Sequence, residues 1–398
     1  MHKCFFVFLW FLICFQVNSQ GLMRIDNVVK TSADIKTGAQ QMELYLPMLK
    51  NKTIALVGNQ TSLIGKTLVL DTLLSMGVKI NKVFGPEHGF RGTADAGDNV
   101  KTAKDTKTGL PVISLYGKKE KPSAADLKDI DVVIFDIQDV GVRFYTYLST
   151  LHYVMEACAE NNKMLIVLDR PNPNGYYIDG PVLEEKYRSY VGLDPVPIVY
   201  GMTIGEYALM INGEKWLKGG VRCNLKVIPI KGYEHSNLYE LPVKPSPNLP
   251  NMASVYLYPS LALFEGTVVS VGRGTDMPFE VIGYPGLQNT KFSFTPQSTP
   301  GALNPPYKDQ VCYGFDLRNF GELYIKNTKC IYLYWLEGTY KNSPDKSTYF
   351  LSYFNMLAGT GTLKQQIMDG IPEKDIRKSW EPGLMKFKEI RKKYLLYP

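Results

Sequence analysis

Residues 131–169 read "DVVIFDIQDVGVRFYTYLSTLHYVMEACAENNKMLIVLD". The stretch opens and closes on short runs, "DVVIFD" (131–136) and "KMLIVLD" (163–169), that are apolar without alternation. Between them, "YTYLSTLHYVMEACAENN" (145–162) carries its apolar residues at helical spacing. Strand, helix, strand predicts a crossover unit, and strands apolar on both faces predict a parallel sheet covered on both sides. Toward the amino terminus "TIALVG" (53–58), "INKVFG" (80–85) and "LPVISLYG" (110–117) have the same character. "KTLVLDTLLSMG" (66–77) has helical spacing and stops at a glycine. The expected fold class is therefore α/β, with a Rossmann-like, doubly wound parallel sheet.

Toward the carboxyl terminus, Pro171–Leu241 is mixed, and "PSPNLPN" (245–251) reads as a connector. Beyond it "TVVSVG", "KFSFTP" and "CIYLYWL" read as strands. The tail reads as helices interrupted at Gly370–Pro372 and at "EPG" (381–383). The expected organisation is a leader over 1–20, a Rossmann-like catalytic domain over 21–244, and a smaller α+β domain over 245–398 that closes the cleft.

With 45% hydrophobic and 21% charged residues, the 398-residue chain is not a disordered one. Its 45 Lys and Arg against 38 Asp and Glu are spread without a basic stripe, which excludes nucleic acid as a partner. "MHK", the apolar "CFFVFLWFLICF" and "QVNSQ" form a signal peptide cleaved after Ser19, so the chain is expected to be exported, to the periplasm of a Gram-negative cell. The apolar run is too short to span a bilayer, and Ile13 stands before Cys14 where a lipoprotein needs a small residue. Export permits disulfides, and Cys312 and Cys330 are the pair that two neighbouring strands would join. Cys158 shares a helical face with Leu148, Leu151 and Met155 and is expected as a buried thiol.

Several motifs fail on inspection. "GNQTSLIGKT" (58–67) ends like a phosphate-binding loop, but Gln60 occupies the position of its first glycine. No GxGxxG follows the first strand, no GxSxG occurs anywhere, and "SPDK" and "KTG" stand in reversed order for a β-lactamase. Without HExxH or CxxC no metal site is expected, and no cofactor is implied.

What remains is a habit of the strand ends. Ligands of an open parallel sheet bind beyond the carboxyl ends of its strands. There this chain places Asn59 and Gln60, then Glu87, His88 and Arg91, then Asp136, Gln138, Asp139, Arg143 and Tyr145, then Arg170 and Asn172. Glu265, Arg273 and Thr275 lie among glycines beyond the connector, as a second wall. Glu87 stands out. Between Pro86 and His88, on a turn leaving a buried strand, it adds little to stability, and partial burial of a carboxyl makes it a usable acid near neutrality.

"GPEHGFRG" (85–92), "FDIQDVGVRFYTY" (135–147), "LDRPNPNG" (168–175), "PSPNLPN", "FEGTVVSVGRGTDMPFEVIG" (264–283) and "SWEPGLMKFKEIRKKYLLY" (379–397) resemble the exo-β-N-acetylmuramidases of peptidoglycan recycling, a family long catalogued as a domain of unknown function. The resemblance covers nearly the whole chain after the leader. It implies a Rossmann-like domain joined to a smaller, barrel-like one, and removal of N-acetylmuramic acid from the non-reducing end of wall fragments. The family's glutamate falls on Glu87. A non-catalytic binder of muramoyl sugars is the alternative use of such a cleft.

The expected mechanism makes Glu87 the general acid, with His88 or a nearby carboxylate tuning it. Arg91, Arg143, Arg170 or Arg273 would hold the lactyl carboxylate. The second catalytic group stays open. A retaining pair needs carboxylates about 5–5.5 Å apart and an inverting pair about 6.5–9.5 Å; a strand order of 3-2-1-4-5 puts Asp136 and Asp139 in the second class. A third route uses the substrate's acetamido group.

Overall fold

A computed structural model describes residues 35–91, 103–287 and 290–398. The signal peptide read at 1–20 lies outside the described residues. The centre is a seven-stranded sheet in the order Asn224–Ile228, Met164–Leu168, Val132–Asp136, Ile54–Gly58, Ile80–Gly85, Pro111–Ser114, Ala103–Lys104. All neighbours pair in parallel except Ala103–Lys104, which closes one edge antiparallel. Ile54–Gly58 and Val132–Asp136 are buried along their whole length, as unbroken apolar runs require. Gly58 lies opposite Asp136, Gly85 opposite Ser114 and Phe135 opposite Val167, so the carboxyl ends of the inner strands line up on one edge.

Asn224–Ile228 is a strand that the sequence pattern does not separate from its mixed surroundings. It sits at the edge with Asn224 and Lys226 exposed, so its apolar residues alternate with polar ones. The long helix is Tyr147–Glu160, and Leu148, Leu151, Met155 and Cys158 are buried on it as expected.

A second, smaller domain follows the connector. Asn251 closes the connector and caps the helix Met252–Leu261, its side chain accepting the Ser254 amide at 3.0 Å. Here the sheet is antiparallel, with Cys312–Asp316 between Val281–Tyr284 and Phe292–Phe294. Cys312–Asp316 has no clear strand signal because Gly314 lies directly against Gly283, where a β-carbon would meet the Ile282 carbonyl oxygen. "TVVSVG" gives isolated pairings at Thr267 and Ser270 instead of a strand. "CIYLYWL" runs into the helix Tyr334–Lys341, where Leu336 and Thr339 are buried three residues apart and the ring of Trp335 packs on Phe320 and Tyr332. The barrel-like form implied by the resemblance corresponds, among the described residues, to these three strands and the isolated pairings.

Two further expectations are corrected. Glu373–Arg391 is one helix that continues through Glu381–Pro382–Gly383, because Ile376, Trp380 and Phe387 bury a common face while Pro382 faces solvent. All four described cysteines are free. Cys312 packs with Val281 and Phe294, whereas Cys330 lies just past the short helix Ile325–Thr328, in the field of Asp179 and Arg377.

The last residues return to the sheet. Asp169, just past Met164–Leu168, accepts bonds from Tyr397 Oη (2.6 Å), Thr203 Oγ1 (2.7 Å) and the Gly205 amide (2.8 Å). Glu206 accepts the Leu396 amide (2.7 Å) and pairs with His235 Nε2 (2.8 Å). Burial pushes Asp169 up to about 7, with Glu206 adding to the rise and the bonds from Tyr397, Thr203 and Gly205 opposing it. A carboxyl whose folded value lies above its unfolded value adds stability that is whole below the unfolded pKa and lost as pH rises through the folded one. Urea unfolding from pH 4.5 to pH 7.5 should therefore show the wild type losing roughly 2–4 kcal/mol more than Asp169→Asn over that window. Equal slopes for the two proteins would show that Asp169 is ionised throughout.

Candidate active site

The strand Ile80–Gly85 runs into a tight turn, with the Gly89 amide on the Pro86 carbonyl at 2.9 Å. His88 and Gly89 both adopt positive φ, 68° and 76°. A left-handed histidine costs on the order of 1 kcal/mol and persists only where its surroundings hold it. Here the buried His88 ring lies 3.2 Å from Ser246 Oγ of the connector. With His88 turned toward the connector, Glu87 lines a pocket of about 420 Å³. Its Oε2 accepts Thr146 Oγ1 at 2.5 Å, and its charge adds to the rise that burial gives the pKa of the Tyr116 phenol. Thr146 stands at the N-cap of the long helix, yet its hydroxyl caps nothing; it serves the Glu87 carboxyl instead.

The opposite wall comes from the smaller domain. Tyr258 on Met252–Leu261 sets its ring edge-on to Phe144 (5.5 Å) and Phe279 (4.8 Å). The Arg273 guanidinium lies over Phe279 at 5.0 Å and donates from Nε to Glu265 at 2.7 Å. Residues 301–306, Val191, Tyr353 and Leu357 complete the lining. Burial, with Glu265 and Glu87 adding, pushes Tyr353 up to about 12, so its phenol is a neutral donor at neutral pH. Burial opposes the charge on Arg273, but Glu265 outweighs it and raises its pKa.

Of the residues named from the sequence, Glu87, Glu265 and Arg273 line this pocket. The others have different partners. Asp136 is wholly buried and forms a two-pronged pair with Arg170, at 2.6 and 2.8 Å, so neither reaches the pocket. Asp139 accepts the Gly141 amide at 2.7 Å and the Tyr200 phenol, and burial pushes it up to about 6. Arg91 is committed to Asp105 at 2.7 Å. Gln138 donates to the carbonyls of Asp139 (2.8 Å) and Pro171 (2.7 Å). Asn172 donates to Met202 (2.7 Å), and Thr275 to Gly272 within its own turn (2.7 Å).

Two more hold the connector. Gln60 Nε2 (3.1 Å) and Tyr145 Oη (2.9 Å) both donate to the Pro245 carbonyl, joined there by Tyr147 Oη (3.2 Å). Asn59 Oδ1 accepts both the Thr61 amide at 2.9 Å and the Thr61 hydroxyl at 2.5 Å. Arg143 is buried and donates to the carbonyls of Pro181 (2.9 Å), Val196 (2.8 Å), Leu357 (3.0 Å) and Ala358 (2.7 Å). Tyr116, Thr146, Tyr258 and Tyr353 are pocket residues that the sequence pattern does not single out. Tyr116 follows the third strand as Glu87 follows the second, so position alone could have flagged it; nothing local marks the other three.

Two family models match the chain, "Exo-beta-N-acetylmuramidase NamZ, N-terminal" over residues 54–253 and its C-terminal counterpart over residues 256–397. The peptidoglycan beta-N-acetylmuramidase NamZ of Bacillus subtilis is 38% identical, with 100% of both chains covered. A crystal structure of a DUF1343 family protein from Bacteroides fragilis is similar with a TM-score of 0.85 and 46% identity, over 91% of this chain and 99% of that one. A second from the same organism has a TM-score of 0.77 and 31% identity, over 92% and 99%.

Arg143 therefore belongs to the framework of the pocket. Arg143→Met should leave four buried carbonyls without their donor and cost roughly 3–5 kcal/mol in urea unfolding. Arg143→Lys should recover little of it, because one ammonium cannot reproduce two forks. Near-wild-type stability of the Met variant would show that the carbonyls find other donors.

Proposed function

The chain belongs to the exo-β-N-acetylmuramidase NamZ family, and from that premise we propose that it hydrolyses the β-glycosidic bond of a terminal N-acetylmuramic acid in peptidoglycan fragments. The observation that carries this reading is the Glu87 carboxyl, at the tip of a buried strand, lining a sugar-sized pocket with Thr146 Oγ1 bonded to it and Tyr116 in the same lining. At about 420 Å³ the pocket lies at the small end of ligand sites, roughly 300–1,000 Å³, which suits one terminal sugar better than a run of glycan.

Glu87 delivers its proton to the glycosidic oxygen as the bond to the anomeric carbon breaks, so the leaving sugar departs with a neutral hydroxyl; water supplies the hydroxyl that takes its place on the anomeric carbon and the proton that restores Glu87. Thr146 holds the carboxyl in one orientation, which a general acid requires more than it requires strength. His88 supports the turn that carries it. Asp136 and Asp139 take no part, being committed elsewhere. Glu265 is the other carboxylate of the described lining, and its bond to Arg273 makes it half of a charged pair.

We also read the sheet as Rossmann-like and doubly wound. Counted along the chain, its six parallel strands stand in the order 3-2-1-4-5-6. The domain division falls near residue 245, in the connector, and the amino-terminal leader directs the enzyme to the periplasm.

Glu87→Gln should lower turnover of a chromogenic β-N-acetylmuramide by roughly 10²–10⁴-fold. Calorimetric affinity for free N-acetylmuramic acid should stay close to the wild type. Undiminished turnover in the variant would remove Glu87 from the reaction, and no turnover in either protein would leave a sugar-binding role.

A further inference from the structure

A muramoyl unit differs from a glucosaminyl unit by one lactyl ether, whose carboxylate is ionised at neutral pH. A pocket that selects it has to answer that charge. Of the four arginines that the sequence offers near the cleft, three are committed: Arg91 to Asp105, Arg170 to Asp136, and Arg143 to four carbonyls.

Arg273 lines the pocket itself, and it is the one cation among the described lining residues, beside the carboxylates Glu87 and Glu265. An anionic sugar would be repelled by such a pocket unless the arginine meets it. The guanidinium is already oriented. Glu265 takes Nε at 2.7 Å, and the Phe279 ring lies beneath at 5.0 Å. That leaves the Nη edge, and Nη1 is buried with no acceptor among the described residues. The Nη edge is a planar fork matched to a carboxylate, and a buried donor without an acceptor is a cost that a bound carboxylate would remove.

On the reading of the chain as an exo-β-N-acetylmuramidase, we propose that Arg273 binds the lactyl carboxylate through its Nη edge while Glu265 holds the guanidinium in place. Arg273 is then the residue that separates muramoyl from glucosaminyl ends. Glu265 is a positioning residue that acts through Arg273.

The test uses three chromogenic substrates: the β-N-acetylmuramide, its lactyl methyl ester, and the matching β-N-acetylglucosaminide. The wild type should prefer the acid to its ester by roughly tenfold or more in kcat/KM. Arg273→Gln should lose roughly 10–100-fold on the acid, chiefly through KM, and change little on the other two. Arg273→Lys should recover part of the loss, since it restores the charge without the fork. A wild type that turns over acid and ester alike overturns the proposal, and this comparison needs no variant to fold. So does an Arg273→Gln protein that loses equally on all three substrates. Failure of the wild type to cleave the muramide at all would instead overturn the activity on which the proposal rests.

Discussion

A buried guanidinium held by carbonyl oxygens, with no carboxylate partner among the described residues, ties this molecule together. Arg143 stands just past Val132–Asp136, and its two Nη groups donate to four carbonyl oxygens from three separate places in the chain. Burial lowers its pKa to about 9, so it is still charged at neutral pH and cannot be released from those carbonyls without a large desolvation cost. Two of the carbonyls, Leu357 and Ala358, belong to the short helix Phe354–Ala358 of the smaller domain. That helix is closed by Gly359 at φ 72°, where a β-carbon would stand 2.3 Å from the guanidinium. Because Leu357 and Tyr353 line the pocket, the rear wall is held in register with the strand tips by one side chain.

A second layer of the same design runs through the connector. Gln60, Tyr145 and Tyr147 converge on the Pro245 carbonyl, and His88 meets Ser246. Asn248, two residues on, donates to the Gly301 carbonyl at 2.8 Å and so fixes the loop over 301–306 that forms one side of the pocket. Four polar residues at the strand ends, Gln60, His88, Arg143 and Tyr145, are thus anchors between the two parts of the chain. A pocket built between two parts needs them, because an acid about 1 Å out of place loses much of its effect. The chemistry is left to one wall, with Glu87, Thr146 and Tyr116, and the charge that faces it to the other, with Glu265 and Arg273.

Much of this is legible in the amino-acid order alone. Unbroken apolar runs determine the parallel sheet, since such strands have no face to spare for water. Their ends locate the cleft, and Glu87, on a proline and glycine turn, is marked as the group with least structural use. Tertiary structure alone decides which of several similar residues faces the pocket. Asp136 and Glu87 carry the same local signal, a carboxylate at the tip of a buried strand. One is closed over by Arg170 from the neighbouring strand's end and the other is not, and that depends on chain more than thirty residues away. The same holds for Tyr258 and Tyr353 among 26 tyrosines, and for the arginines, which differ only in what packs beside them. Sequence spacing sets where a side chain starts, but the packing around it sets what it touches.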